Sequence, residues 1–117
     1  EWKPSQSGRI IAVFQPHRYT RTLHLGDSFE NAFDSADITV ITDVYAAGED
    51  PIPGVSGELI YKAVMRSGKS GVHYLPTKDG VLEFLTREAA EDDLVLTLGA
   101  GDIWKTGESF VRYLEAR

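Results

Sequence analysis

Four short apolar runs, Ile10–Phe14, Ile38–Ile41, Val72–Leu75 and Leu94–Leu98, constrain this 117-residue chain more than any other feature. Each is about strand length, rich in Ile, Val or Leu, and barely alternates apolar with polar residues. That is the pattern of strands covered on both faces, as in a parallel sheet. Helical patterns lie between the runs. The spacing predicts stripes over Leu25, Phe29, Ala32 and Phe33; over Leu59, Ile60, Ala63 and Val64, with Ser56 as N-cap and Gly68 as stop; over Val81, Leu82, Leu85 and Ala89; and over Ile103, Phe110, Val111 and Leu114, with Asp102 as N-cap. The order β-α-β-α-β-α-β-α predicts an α/β fold in one domain over residues 1–117, an open, mainly parallel sheet with helices on both faces.

In such a sheet ligands bind outside the carboxyl ends of the strands, so chemistry is sought in the four βα loops. The charge distribution singles out the first. The chain carries a net charge of −6, yet residues 1–24 hold Lys3, Arg9, Arg18 and Arg21 against Glu1 alone, and residues 25–60 hold eight acids and no lysine or arginine. Acidity overall argues against a general nucleic-acid binder, while His17 with Arg18 and Arg21, the two arginines three positions apart at the opening of a helix, fit a receptor for carboxylate or phosphate. Spacing alone leaves two solvated arginines equally open. In the second loop, Asp43 ends a strand, where it fits a ligand for ribose, metal or arginine and equally a cap on nearby amides. Glu49 and Asp50 read as solvated, or as answering Arg18 or Arg21. Gly99-Ala100-Gly101 lacks the third glycine of a dinucleotide fingerprint, and close packing explains it better than a ligand does. His24 and His73 have no partner at metal-ligand spacing, Ser56, Ser67 and Ser109 lack a nucleophile elbow, and no metal site is expected. Zero cysteines exclude disulfides and thiolate chemistry. No run approaches the roughly 20 apolar residues of a membrane span, and composition predicts a soluble, intracellular protein with neither membrane nor nucleic-acid partner.

Three motifs in order, Phe14-Gln15-Pro16-His17-Arg18-Tyr19-Thr20-Arg21-Thr22, Asp43-Val44-Tyr45-Ala46-Ala47-Gly48-Glu49 and Gly99-Ala100-Gly101-Asp102-Ile103, resemble the C-terminal domain of the Mur ligase family, in particular its alanine-adding branch. The resemblance runs from about residue 9 to the end. It implies a Rossmann-like three-layer α/β/α domain of a cytoplasmic, three-domain ligase of peptidoglycan synthesis. There ATP phosphorylates the carboxylate of UDP-N-acetylmuramate, and the amine of L-alanine attacks the acyl phosphate. ATP and magnesium would be held mainly by a central domain, with no cofactor in these 117 residues. The resemblance casts His17, Arg18 and Arg21 as catalytic, Tyr45 and Glu49 as lining the substrate cleft, and Asp43 as a weaker contact for nucleotide or loop. It also implies partners in the N-terminal and central domains. The family's opening β-α unit, with its Asp-Asp-Tyr-x-His-His-Pro-like motif, does not appear, which places the start of this chain near the end of that first helix, around Trp2. A trimmed domain of this kind would lack ligase activity alone and would self-associate or be only marginally stable. The alternatives are a sister ligase adding another amino acid or peptide, which calls for a different first loop, and a stand-alone anion- or nucleotide-binding module.

Overall fold

The computed structural model describes residues 8–117, so the expectation placed on Trp2 lies outside the described residues. Elements follow in the order β1 (Ile10–Phe14), α1 (Tyr19–Leu25) running into a 3-10 turn (Gly26–Phe29), β2 (Ile38–Ile41), α2 (Glu58–Arg66), β3 (Val72–Tyr74), α3 (Lys78–Glu88), β4 (Leu94–Leu98) and α4 (Ile103–Glu115). The four strands form one wholly parallel sheet in the order β3-β2-β1-β4. The predicted α/β architecture with helices on both faces is what the chain adopts.

The unalternated runs follow from the two cores. Along β1, Ile11 and Val13 point to one face and join Val40, Val81, Leu85, Ile103 and Phe110 beneath α3 and α4. Ile10 and Ala12 point to the other and join Phe33, Ile41, Ile60 and Val64 beneath α2 and the 3-10 segment. Period-two geometry therefore demands an apolar residue at every position of a central strand. The strand β4 departs from this expectation. It pairs only with β1, and the helices of the second face stop short of it, so Leu96 and Leu98 are each 39% exposed. At the amino-terminal edge a clamp fixes the β1–β4 pairing: Arg9 donates from its amide to Asp93 Oδ1 at 3.0 Å and from Nη2 to Oδ2 at 2.9 Å.

The first predicted helix is displaced. A helix opens at Tyr19 and ends at Leu25, where Gly26-Asp27-Ser28 favours a turn. The Ser28 hydroxyl donates to the Leu25 carbonyl, and Phe29 and Phe33 reach the core through the 3-10 segment and turns rather than at α spacing. They pack on Phe14 with ring centroids 5.1 and 5.4 Å away, while Leu25 and Ala32 are exposed. In α2 the N-cap is Gly57, and Ser56 one residue earlier accepts from the Glu58 amide. Gly68 ends the helix at φ +81°, as predicted. In α4 the buried face is Ile103, Thr106 and Phe110, whereas Val111 and Leu114 face outward.

Candidate functional site

The chain leaves β1 toward β2 on one side and returns as β4 on the other, so the topological switch point lies between the loops that follow β1 and β4. The first of these is held by the second loop rather than by its own residues. One rung past the sheet, the Tyr45 amide donates to the Pro16 carbonyl and the Arg18 amide to the Tyr45 carbonyl, both at 2.8 Å. The His17 and Tyr45 rings stack with centroids 5.9 Å apart and planes 10° from parallel. Arg18 is then forced to φ +72°, ψ 140°, which costs a residue with a side chain about 1–3 kcal/mol.

Arg18 is therefore the N-cap of α1 and not part of its first turn, so it does not share a helical face with Arg21. Both guanidiniums are exposed, and among the described residues neither has an ion-pair partner. The helix amides expected to assist them are occupied. Glu49 Oε1 accepts from the Tyr19 amide at 2.6 Å and the Thr20 amide at 3.2 Å, and Oε2 accepts from the Thr20 hydroxyl at 2.6 Å. The Thr20 hydroxyl, those amides and the nearby charge of Arg18 hold the Glu49 carboxyl below the usual range against the opposing effect of desolvation. Asp43 takes the capping role: its Oδ1 accepts from Val44 and Gly57 amides at 2.8 and 3.0 Å.

Two cavities flank the His17–Tyr45 bridge. One, of about 230 Å³, is lined by Phe14, Phe29, Ala100, His17 and Arg21. The other, of about 340 Å³, is lined by Asp43, Tyr45, Thr77, Lys78 and Asp102. His17 Nδ1 is buried with no hydrogen-bond partner among the described residues. Between the cavities runs a polar link that sequence reasoning missed. Buried Gln15 donates to Asp102 Oδ1 at 2.8 Å and accepts from the Ile103 amide at 3.1 Å, while Lys78 pairs with Asp102 Oδ2. Asp102 occupies the predicted N-cap position of α4 without capping it, because its carboxylate is turned to Gln15 and Lys78 and Gln15 caps in its place. A glutamine interrupting the end of an apolar strand was the only available signal. The glycines beside it serve packing: a Cβ on Gly101 would lie 2.4 Å from the Tyr45 ring and 2.7 Å from Gln15 Oε1.

The Gln15 hydrogen bond and then Lys78 lower the Asp102 pKa. A carboxyl depressed in the folded state contributes stability that is present above its unfolded value near 3.9 and is lost as pH falls through the folded value. The urea midpoint is expected to fall steadily below about pH 4. In Asp102→Asn the midpoint at pH 7 is lower and this acid limb shallower, and limbs of equal slope would remove Asp102 from the account.

Fold and site together define a class, an open parallel α/β domain whose first βα loop presents two exposed arginines at the carboxyl edge of the sheet. Within it, residues 2–101 match the family described as Mur ligase, glutamate ligase domain, and the chain belongs to the Mur ligase family. It is 47% identical over 94% of its length to a UDP-N-acetylmuramate--L-alanine ligase of Pelotomaculum thermopropionicum, and 48% identical over 93% to the enzyme of that name in Syntrophotalea carbinolica. A relative with the same name in Brachyspira hyodysenteriae is 50% identical over 92% of the chain. The chain spans about a quarter of the length of these relatives, 24% of the first two and 23% of the third.

Proposed function

We propose that residues 1–117 are the closing domain of a cytoplasmic ligase that joins L-alanine to UDP-N-acetylmuramate, with His17, Arg18 and Arg21 facing the reaction centre. The observation that carries this reading is a pair of guanidiniums with no ion-pair partner among the described residues, beside a buried His17 nitrogen with no hydrogen-bond partner among them, at the switch-point edge of a chain with net charge −6. In the ligase reaction the muramoyl carboxylate takes the terminal phosphoryl group of ATP. The alanine amine then attacks the acyl carbon, the amide C–N bond forms and the acyl C–O bond breaks, releasing phosphate. Both the alanine carboxylate and the phosphate carry charge that a guanidinium binds bidentately. A cation already in place at the charge that develops lowers the barrier without reorganisation at the moment of reaction. Tyr45 keeps His17 in orientation by stacking and, with Asp43, lines the cleft on the other side of the bridge.

The described residues do not fit a nucleotide–magnesium site of their own. Gly101 is filled against Tyr45 and Gln15 rather than open to phosphate, and among the described residues no group of three His, Asp or Glu side chains could hold a metal.

The full-length protein is expected to turn over ATP fastest with UDP-N-acetylmuramate and L-alanine together, measured by phosphate release and by mass spectrometry of the amide. Preference for another amino acid or a peptide would move the domain to a sister ligase. Anion binding without ligation would favour a stand-alone module.

A further inference from the structure

We propose that Glu49 is a positioning residue: it meets no substrate but holds the first turn of α1, and through it Arg21, in the orientation the reaction uses. The proposal rests on the reading of Arg21 given above.

A seven-residue helix is too short to persist by its own hydrogen bonding, and its first amides have no intrahelical acceptor. The natural supplier is the N-cap side chain, but here that residue is Arg18, which has no acceptor to offer and makes no cap bond. Glu49, about thirty positions away in sequence, fills the gap with three hydrogen bonds. The second loop is shaped to deliver it. Ala47 and Gly48 both adopt positive φ, +52° and +87°, and the Glu49 amide closes the turn on the Ala46 carbonyl at 3.0 Å. The same loop holds Tyr45 against Pro16 and Arg18, so the backbone bridge and the Glu49 cap grip the arginine segment from both sides. With both oxygens so used, Glu49 neutralises the helix end and leaves the guanidiniums as the charges open to a ligand.

The test compares Glu49→Ala, Glu49→Gln, Arg21→Ala and the double variant Glu49→Ala/Arg21→Ala in the full-length ligase. Misplacing an anion-binding group by about 1 Å can cost up to about 100-fold. Glu49→Ala is expected to lower kcat/KM about 10- to 100-fold, Glu49→Gln, which keeps an acceptor of the same reach, to recover most of that loss, and the double variant to be no worse than Arg21→Ala alone. If Glu49→Ala does not fold, Thr20→Val removes one of the three bonds, and a smaller loss, again absent on the Arg21→Ala background, is expected. Losses that multiply in the double variant, or a Glu49→Gln as impaired as Glu49→Ala in KM for L-alanine, would overturn positioning in favour of direct contact. Normal kinetics in Glu49→Ala with Arg21→Ala strongly impaired overturns the proposal alone, whereas normal kinetics in Arg21→Ala overturns the arginine reading itself.

Discussion

Alanine in place of Arg21 is expected to lower kcat of the full-length ligase about 100- to 1,000-fold, the usual cost of removing one preorganised group that stabilises developing charge. Its guanidinium lines the smaller cavity beside His17, is exposed, and among the described residues has no ion-pair partner. Truncation therefore leaves no buried acceptor unsatisfied, and the melting temperature should move by less than about 2 °C, as for ordinary surface substitutions. Lysine restores the charge but not the planar fork, so Arg21→Lys is expected to recover only part of the rate. Arg87, whose side chain is 71% exposed in an i,i+4 pair with Glu83 on the far side of the sheet, supplies the control; Arg87→Ala should be kinetically silent. Equal kinetics in Arg21→Ala and wild type would end the case for the first loop.

The largest effect on stability is expected from Gly57→Ala. A Cβ at this position would lie 1.9 Å from the Thr42 carbonyl oxygen and 3.1 Å from the Asp43 Cα. Both contacts are with backbone at the end of β2, which cannot step aside as a side-chain tip can. Its own amide is held by Asp43 Oδ1 at 3.0 Å, so movement of α2 away from the strand also breaks that bond. Overpacking of this kind costs about 2–3 kcal/mol, or roughly 10 °C in the melting temperature of a domain this size. Thermal unfolding of the chain checks it, and a melting temperature within about 3 °C of wild type would show that the strand end yields more readily than argued.

The strands were legible because a parallel sheet leaves its signature in runs of five residues or fewer, but the same runs could not rank themselves. Leu94–Leu98 reads as apolar as Ile10–Phe14, yet one lies at an edge with Leu96 and Leu98 partly bare and the other at the centre. Strand order is set by which crossover goes which way, information no single run contains. The helix over residues 25–33 was misplaced because Phe29 and Phe33 reach their core through a 3-10 turn, whose spacing imitates an α stripe over so short a stretch. In the site, His17, Arg18 and Arg21 stood out by charge contrast. Gln15 did not, since a neutral amide gives no contrast and its value lies in the three loops that meet around it. Glu49 was visible as a residue but not as a cap, because its partner amides depend on Ala47 and Gly48 turning the chain back with positive φ.

The central place of β1 also bears on how the chain is made. Its two neighbours arrive at very different times during synthesis: β2 follows within the next few tens of residues, while the strand that closes the other side is clamped across 84 residues, by Asp93 on Arg9. At roughly 5–20 residues per second, a nascent chain carries β1 with one edge open for several seconds after β2 has emerged. During that interval Ile10, Ile11 and Val13 belong to an intermediate of two and then three strands, β3 joining β2, in which the other edge of β1 is an unpaired apolar rim, the species most open to wrong pairing on a crowded ribosome. The loop at the end of β1 therefore gains its final support last, when Leu98 and the Gly99–Asp102 turn reach Gln15.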